Sequence, residues 1–341
     1  MAKISKLSFV LYLFLSNYII YLYIGVPTLI MEYKNMAYFG PLLILSVSIV
    51  FVIFLPKRVI NIDYFKRIKS TKIIKFILFI ALLLDALLTI LIAIRVLDQV
   101  FFFTYFKHFF LLTMIIIAII ASRNNGYVLI SSSTILFLMA IVLILVPLFL
   151  SNSVKNYALL LPLKFYKSFK PLLILSYFVF DMFKNLLILP SVKPFKSKWF
   201  ILIPLSLMLF FFTIDVMNNI LIAGTFFLVD NEYLGFFTLY IQDTINYIGN
   251  LGFSYLYLIP VLSIFKASVS LSLLRELMQF KKGYLLELML MLLYLFLAYF
   301  LTYQLSFRMI MLGFVYSLLF LYMVIYFYIL INRSEKYEIS I

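Results

Sequence analysis

Residues 73–100 read IIKFILFIALLLDALLTILIAIRVLDQV, and this stretch decides the class of fold. Between Lys75 and Arg95 its only charged residue is Asp85, and almost all the other side chains are aliphatic or aromatic. A helix of about 20 apolar residues spans the hydrocarbon core of a bilayer. The stretch therefore predicts a membrane-spanning helix that carries a carboxylate near its centre.

Similar apolar stretches follow one another along the whole chain. Apolar residues make up 66% of the sequence, whereas a soluble protein has about 45–50%. We expect an all-α polytopic membrane protein with about ten transmembrane helices, in a single integral membrane domain over residues 1–341 with no room for a domain outside the lipid. The predicted segments are 7–30, 37–55, 73–100, 104–121, 127–150, 171–190, 199–224, 253–274, 284–304 and 309–332.

The net charge of +15 is explained by membrane orientation rather than by nucleic acid. Most Lys and Arg residues fall in short loops between the apolar segments. With the N-terminus inside, 19 of the 28 lie on the cytoplasmic side, Lys184 among them, and 7 lie outside. Only Arg95 and Lys266 fall within spans. The positive-inside rule then predicts that both termini are cytoplasmic. The excess of Lys, Ile, Phe, Tyr and Asn is typical of an AT-rich genome, so we expect a low-GC bacterium and a bacterial cell membrane.

Residues suited to enzymatic chemistry are scarce. The chain has no cysteine, which excludes disulfides, thiolate metal sites and cysteine nucleophiles. Its single histidine, His108, falls in a predicted outer loop, and no glycine-rich phosphate loop or nucleophile elbow occurs. We therefore expect neither an enzyme nor a metal or cofactor site.

Two loops differ in charge. Residues 56–72 are strongly basic and predict a cytoplasmic linker, which either rests on anionic lipid headgroups or only sets orientation. Residues 225–252 contain three acidic residues and no Lys or Arg. We expect them to form an extracellular helical hairpin that packs into the outer mouth of the protein.

The first span contains Gly25 and Pro27, which are both unfavourable inside a helix. A helix that breaks within the membrane is typical of a transporter's binding site, although a simple proline kink is the alternative. The sixth span, 171–190, is more weakly interrupted by Ser176 and Asp181. Interruptions in the first and sixth spans are expected if two groups of five helices form an inverted repeat.

Seven charged residues fall within or near the predicted spans. A charge at the centre of a membrane helix costs about 2.5–3.5 kcal/mol on insertion scales, so each needs a partner, an aqueous cavity or a neutral form. Lys266 must be served by another helix, with Asp85 or Asp215 as candidates, either as a structural ion pair or for coupling and gating. Asp181 and Glu287 are predicted to snorkel toward the cytoplasm. The residues are Asp85, Arg95, Asp98, Asp181, Asp215, Lys266 and Glu287.

Several short motifs resemble the B subunits of bacterial spore germinant receptors, members of the amino acid–polyamine–organocation transporter superfamily. That resemblance implies the ten-helix leucine-transporter fold, a 5+5 inverted repeat with approximate halves at 1–150 and 171–332. Lys266 corresponds to no feature of that family. The motifs are Ile24-Gly25 with Pro27, Leu55-Pro56, Val146-Pro147-Leu148, Leu161-Pro162-Leu163, Phe180-Asp181 and Leu189-Pro190.

The resemblance also implies a nutrient sensor that binds an amino acid or similar germinant at the membrane midplane and opens an ion pathway. Its partners would be a larger membrane subunit and a lipoprotein in the spore inner membrane. The ligand site would lie between the first and sixth helices, and the gate would use charged residues. The predicted ligand residues are Gly25, Val26, Ser176, Tyr177 and Phe180, and the predicted gating or coupling residues are Lys266, Asp215, Asp85 and Asp181.

Two other functions remain open on the sequence. A proton-coupled secondary transporter of amino acids or cations would use the same site. A lipid or polysaccharide flippase or polymerase would need basic residues along a lumen, and this chain has few cations deep in its spans.

Overall fold

The computed structural model describes the greater part of the chain, and the described part is helical, with no β-strand within it. This confirms the all-α prediction. The described residues are 4–55, 71–101, 107–124, 126–150, 156–160, 170–185, 199, 202–230, 251–278, 296 and 307–331.

The helices follow the predicted apolar segments closely. The first predicted segment corresponds to α1 and α2 together, and each of the others except 284–304 corresponds to one helix. The predicted segment 284–304 lies outside the described residues apart from Phe296. The helices are α1 (Lys6–Ile20), α2 (Val26–Tyr33), α3 (Phe39–Phe54), α4 (Lys72–Phe101), α5 (Lys107–Ser122), α6 (Gly126–Leu150), α7 (Lys170–Lys184), α8 (Leu202–Asp230), α9 (Leu251–Met278) and α10 (Phe307–Ile331).

Within the described ranges, five helical segments are long and apolar enough to cross a membrane by length and composition. Shorter apolar segments lie in α3, α5 and α6. Many large apolar side chains face outward, as on α3, where Ile53 and Phe54 are more than half exposed. These features are compatible with a membrane-embedded protein. The five segments are Lys6–Met36, Lys72–Arg95, Leu202–Ile222, Leu258–Leu277 and Ile310–Ile331.

The first helix widens at the predicted interruption but does not break. Residues Tyr21–Gly25 form a π-helical turn, in which the N–H of Val26 donates to the carbonyl of Tyr21 five residues earlier. Pro27 has no N–H, and its ring would clash with the carbonyl four residues back in a regular α-helix. The π-turn relieves this clash, because it inserts an extra residue into the ladder. The first helix is therefore continuous from α1 through the π-turn into α2.

Helices α4 and α9 form the most extensive helix pair in the described part of the chain. Small buried residues line both helices, including Ala81, Ala86 and Ala93 on α4 and Ala267 and Ser270 on α9. Small residues let membrane helices approach closely, which strengthens van der Waals packing where lipid offers no hydrophobic driving force. The pair therefore forms a compact centre for the bundle.

The other helices surround this pair. Helix α1 packs against α6, α8 and α9, while α7 packs against α3 and α10 and contacts α4 more sparsely. Helix α10 also packs against α4, α9 packs against α5 and α6, and α3 packs against α8. The pair α4–α9 therefore reaches most of the other helices directly.

Several loop predictions fall largely outside the described residues. Residues 56–70 of the basic linker do so, and Lys72 already begins α4. Residues 231–250 of the predicted outer hairpin also lie outside, whereas 225–230 belong to α8 and 251–252 to α9. Glu287 and the side chain of His108 are not described either. The predictions for these loops and residues therefore remain untested predictions.

Candidate functional site: a buried ion cluster

The carboxylate of Asp85, in the middle of α4, is fully buried and contacts two lysines from two other helices. Its Oδ2 atom lies 2.8 Å from Nζ of Lys184 on α7, and its Oδ1 atom lies 3.2 Å from Nζ of Lys266 on α9. Ser270, one turn after Lys266, donates to Oδ2 at 2.7 Å. Asp85 therefore ties α4 to both α7 and α9.

Tyr177 on α7 connects the same carboxylate with the same lysine. Its hydroxyl donates to Oδ1 of Asp85 at 3.2 Å, and it accepts from Nζ of Lys266 at 3.4 Å. The ammonium also lies 5.8 Å from the centroid of the tyrosine ring, within the range of a cation–π contact. The phenol thus bridges both charges without carrying one.

Lys184 has a second carboxylate partner on its own helix. Its Nζ atom lies 2.8 Å from Oδ1 of Asp181, three residues earlier. Residues three apart on a helix face the same side, which makes this pairing local. Asn185 donates to Oδ2 of Asp181 at 3.4 Å, and Tyr12 of α1 donates to Oδ1 of Asn185 at 3.1 Å. The polar network therefore extends to the first helix.

Asp85, Asp181, Lys184 and Lys266 form what we call the ion cluster. All four side chains are fully buried, and two carboxylates balance two ammonium groups. Burying an ion pair is costly and gives little net stability, but removing one partner leaves an uncompensated charge and is strongly destabilising. Such a set can bind a proton or exchange ion-pair partners. Within the described residues, no three His, Asp or Glu side chains come together as ligands for a metal ion.

The structure decides between the two carboxylates predicted to serve Lys266. The pairing with Asp85 is confirmed. Asp215 lies on α8, and its buried Oδ2 atom has no hydrogen-bond partner in the described part of the chain. Asp181 does not snorkel, because its side chain is fully buried against Lys184. The gating roles of these residues remain predictions.

Sequence reasoning missed Lys184, which it counted among the cytoplasmic cations. Charge counting cannot distinguish a lysine at the end of an apolar segment from a lysine in a loop. Its fully buried ammonium in fact contacts two carboxylates. The available signal was the spacing of Asp181 and Lys184, three residues apart at the end of an apolar helix.

The five predicted ligand residues lie in different surroundings. Gly25 and Val26 are buried in and beside the π-turn, and a Cβ atom at Gly25 would lie 3.6 Å from the ring of Phe178 on α7. The side chain of Ser176 donates to a carbonyl of its own helix. Tyr177 belongs to the network of the ion cluster. These contacts bring the first helix against α7, and a shared ligand site there remains a prediction.

Phe180, the last of these residues, faces other helices. Its ring centroid lies 4.8 Å from that of Phe51 on α3 and 5.5 Å from that of Tyr326 on α10. Phe51 and Tyr326 also pack edge to face, at 5.3 Å. Phe180 is therefore part of an aromatic core between α3, α7 and α10.

Two buried hydroxyls near the ion cluster have no hydrogen-bond partner among the described residues. Ser263 precedes Lys266 by three residues on α9, and the ring of Tyr322 on α10 lies 6.0 Å from that of Tyr177. A buried polar group without a partner costs about 1–3 kcal/mol. Both hydroxyls are therefore able to form a hydrogen bond with a new partner in another conformation of the protein.

A comparison with models of protein families finds no match to this chain, and a comparison with curated proteins finds none either.

Proposed function

We propose that this chain is a membrane-embedded receptor for a small nutrient, of the kind found as B subunits of spore germinant receptors, and that ligand binding acts on the ion cluster. The receptor part of the proposal rests on the sequence motifs, and the observation that carries the rest is the cluster itself, which joins α4, α7 and α9 through charges buried in the middle of the bundle. Buried charges in membrane helices are costly, and they typically mark ion or substrate pathways.

The helix packing supports a 5+5 repeat with approximate halves at 1–150 and 171–332. If segment 284–304 is the ninth span, a 5+5 repeat predicts that a contact between two helices recurs between the helices that lie five spans away from each of them. The contact of α1 with α6 corresponds to that of α7 with α10, α1 with α8 to α7 with α3, α1 with α9 to α7 with α4, and α10 with α4 to α6 with α9. In the pairs α4–α9 and α3–α8 the two helices are five spans apart, so the repeat exchanges them with each other. The contact of α1 with α4 has no comparable counterpart between α7 and α9. Exchange of contacts between two halves is expected of an internal repeat, and the odd number of spans proposed for each half would give the halves opposite orientations in the membrane.

Helix α7 links the predicted ligand site to the ion cluster. Phe178 faces Gly25 in the π-turn, and Tyr177, the adjacent residue, donates to Asp85. A ligand between the first helix and α7 would therefore act on the helix that also carries Asp181 and Lys184. A ligand shifts a conformational equilibrium only by its different affinity for the two states. We propose that the two states differ in the contacts of the ion cluster.

Deletion of the gene in the source strain tests the receptor proposal. We expect spores to lose germination in response to particular amino acids or nucleosides while uptake of those nutrients is unchanged. The variant Lys266→Met should abolish the response although the protein remains folded in the membrane. Normal germination without the gene, or a source that forms no spores, would refute the proposal, and a wild-type response of the variant would refute the role of Lys266.

A second candidate is a proton-coupled secondary transporter of amino acids or cations. The observation that favours it is the fully buried ammonium of Lys266 beside an acceptor carboxylate and the hydroxyl of Tyr177, because a buried lysine can release its proton. Purified protein in liposomes with an imposed pH gradient distinguishes the two functions. Gradient-driven accumulation of a labelled amino acid or cation would establish the transporter, whereas binding without accumulation would agree with the receptor.

The proposal also includes partner subunits, lipid contacts and an orientation in the membrane. A larger membrane subunit and a lipoprotein would be its partners in the spore inner membrane, and anionic lipids would contact its basic linker. Both termini would be cytoplasmic. Removing Lys184 from the cytoplasmic cations still leaves an excess on that side.

A further inference from the structure

We infer that the ion cluster is built to be divided between α7 and the α4–α9 pair, with each side keeping a balanced charge. The Asp181–Lys184 pair lies wholly on α7. The Asp85–Lys266 pair joins only α4 and α9. Among the described residues, a single ion pair, between Lys184 and Asp85, crosses the boundary. Displacing α7 from the α4–α9 pair would break that pair and strand no charge.

The hydrogen bonds follow the same boundary. Asn185, next to Lys184 in the chain, supports Asp181 on the α7 side, and Tyr12 supports Asn185. Ser270 supports Asp85 on the α4–α9 side. The other contacts that cross are those of the neutral hydroxyl of Tyr177 with Asp85 and Lys266. Each carboxylate thus retains both a cation and a neutral hydrogen-bond donor after separation.

Helix packing is also weaker at this boundary than within the α4–α9 side. Helices α4 and α9 contact each other more extensively than any other described pair, whereas α7 contacts α4 only sparsely. The ion cluster is therefore a large part of what holds α7 against α4. Breaking one partner from a buried ion pair is strongly unfavourable when the remaining charge is uncompensated. The local counter-charges remove this penalty and make a displacement of α7 accessible.

This arrangement predicts an unusual pattern of mutations. Asp181→Asn leaves Lys184 dependent on Asp85, and Lys266→Met leaves Asp85 dependent on Lys184. Either single change should hold α7 against α4, because separation would then strand a bare charge. Neutralising both members of one side, as in Asp181→Asn with Lys184→Gln, should restore the displacement. The same rescue is expected of Asp85→Asn with Lys266→Met.

The test is a distance measurement between spin labels in the full chain, reconstituted in lipid nanodiscs. The natural sequence has no cysteine, so introduced cysteines are labelled without background. One label replaces Leu173 on α7 and the other Val261 on α9, both of which are about half exposed. A control pair joins Val261 to Ile117 on α5, which packs against α4 and α9 and should keep one distance in all variants.

We expect two distance components for the α7–α9 pair in the otherwise natural chain. Each single variant should reduce the longer component by about tenfold or more, and both double variants should recover it. If one single variant does not fold, the other carries the test, because it must lose the longer component while its double variant recovers it. One unchanged distance in every form, no recovery in the doubles, or equal changes in the control pair would overturn the inference.

This inference deepens the proposed function, and it rests on that function for its biological purpose. The distance measurement itself needs no ligand. Loss of the mutational pattern would refute the divided cluster and leave the receptor proposal standing, whereas the deletion experiment could refute the receptor proposal while the pattern holds.

Discussion

The ammonium of Lys184 lies 2.8 Å from a carboxylate oxygen of Asp85, although 99 positions separate the two residues in the chain and both are completely buried. The same ammonium lies 2.8 Å from the carboxylate of Asp181 on its own helix. Lys184 therefore belongs to two ion pairs at once, one local and one between helices. Because Lys184 lies on α7 and Asp85 on α4, the stability of the buried ion pairs depends on the position of α7.

Asp85→Asn should be among the most destabilising single changes in the bundle. The amide keeps the shape of the carboxylate but removes the counter-charge of Lys266 and one of the two partners of Lys184. We expect a loss of about 3–5 kcal/mol in stability, as for other broken buried ion pairs. The apparent melting temperature in detergent measures it.

The matched control for this change is Asp215→Asn on α8. Asp215 has no ion pair among the described residues, and its Oδ2 atom has no hydrogen-bond partner. Its neutralisation removes no compensated charge, so the melting temperature should change little. Equal decreases in melting temperature in the two variants would show that the ion pairs of Asp85 do not contribute to stability.

Gly25→Ala should destabilise the junction of the first helix with α7. A Cβ atom at Gly25 would lie 2.9 Å from the ring of Tyr21, which must then move. That ring is stacked on Phe212, and the Tyr21 hydroxyl donates to the carbonyl oxygen of Phe212, so the side chain has little freedom. Overpacking of this kind costs about 1–3 kcal/mol. Thermal unfolding followed by size-exclusion chromatography provides the measurement.

Gly313→Ala on α10 is the control for the same substitution. A Cβ atom there meets no atom of another described residue within 4 Å, apart from the backbone of its own helix. The change should stabilise the helix by about 0.5–1 kcal/mol, because glycine loses more backbone entropy than alanine. A stabilising effect at Gly25 as well would mean that the contact with Tyr21 does not constrain that site.

Tyr12→Phe should weaken the link between α1 and the ion cluster. The change removes the hydroxyl that donates to Asn185 and leaves the amide oxygen of Asn185 buried without that donor. We expect a loss of about 1–3 kcal/mol, the usual penalty for an unsatisfied buried group. Tyr322→Phe is the comparison, because the hydroxyl of Tyr322 is buried with no partner among the described residues. Its removal should leave the melting temperature unchanged or raised, and the opposite ranking would contradict the network.

The predicted orientation can be checked with single cysteines in intact cells. Lys170→Cys, at the beginning of α7, should react with a membrane-impermeant maleimide added outside, because its side chain is largely exposed on the predicted outer side. Asn124→Cys, in the exposed turn between α5 and α6, should react only after the membrane is permeabilised. The reverse pattern would place both termini outside.

Hydrophobicity located the helices well because the requirement to span about 30 Å of hydrocarbon acts on each segment separately. The same local reasoning anticipated a disturbance at Gly25 and Pro27, but not its form. The π-turn absorbs the proline within a continuous helix, and Tyr21 in that turn packs against Phe212 and Phe178. Those residues are far apart in the chain, so no local pattern encodes their meeting.

The sequence alone determined the all-α class, the positions of the described helices, and the need of Lys266 for a carboxylate on another helix. These follow from composition, segment length and the cost of a lone charge in lipid. Only the tertiary structure chose Asp85 over Asp215, brought Lys184 into the bundle and assembled four charges into one balanced cluster. The physical reason is that a charge can be compensated by any helix that passes close enough, and which helices approach one another depends on the packing of the whole bundle.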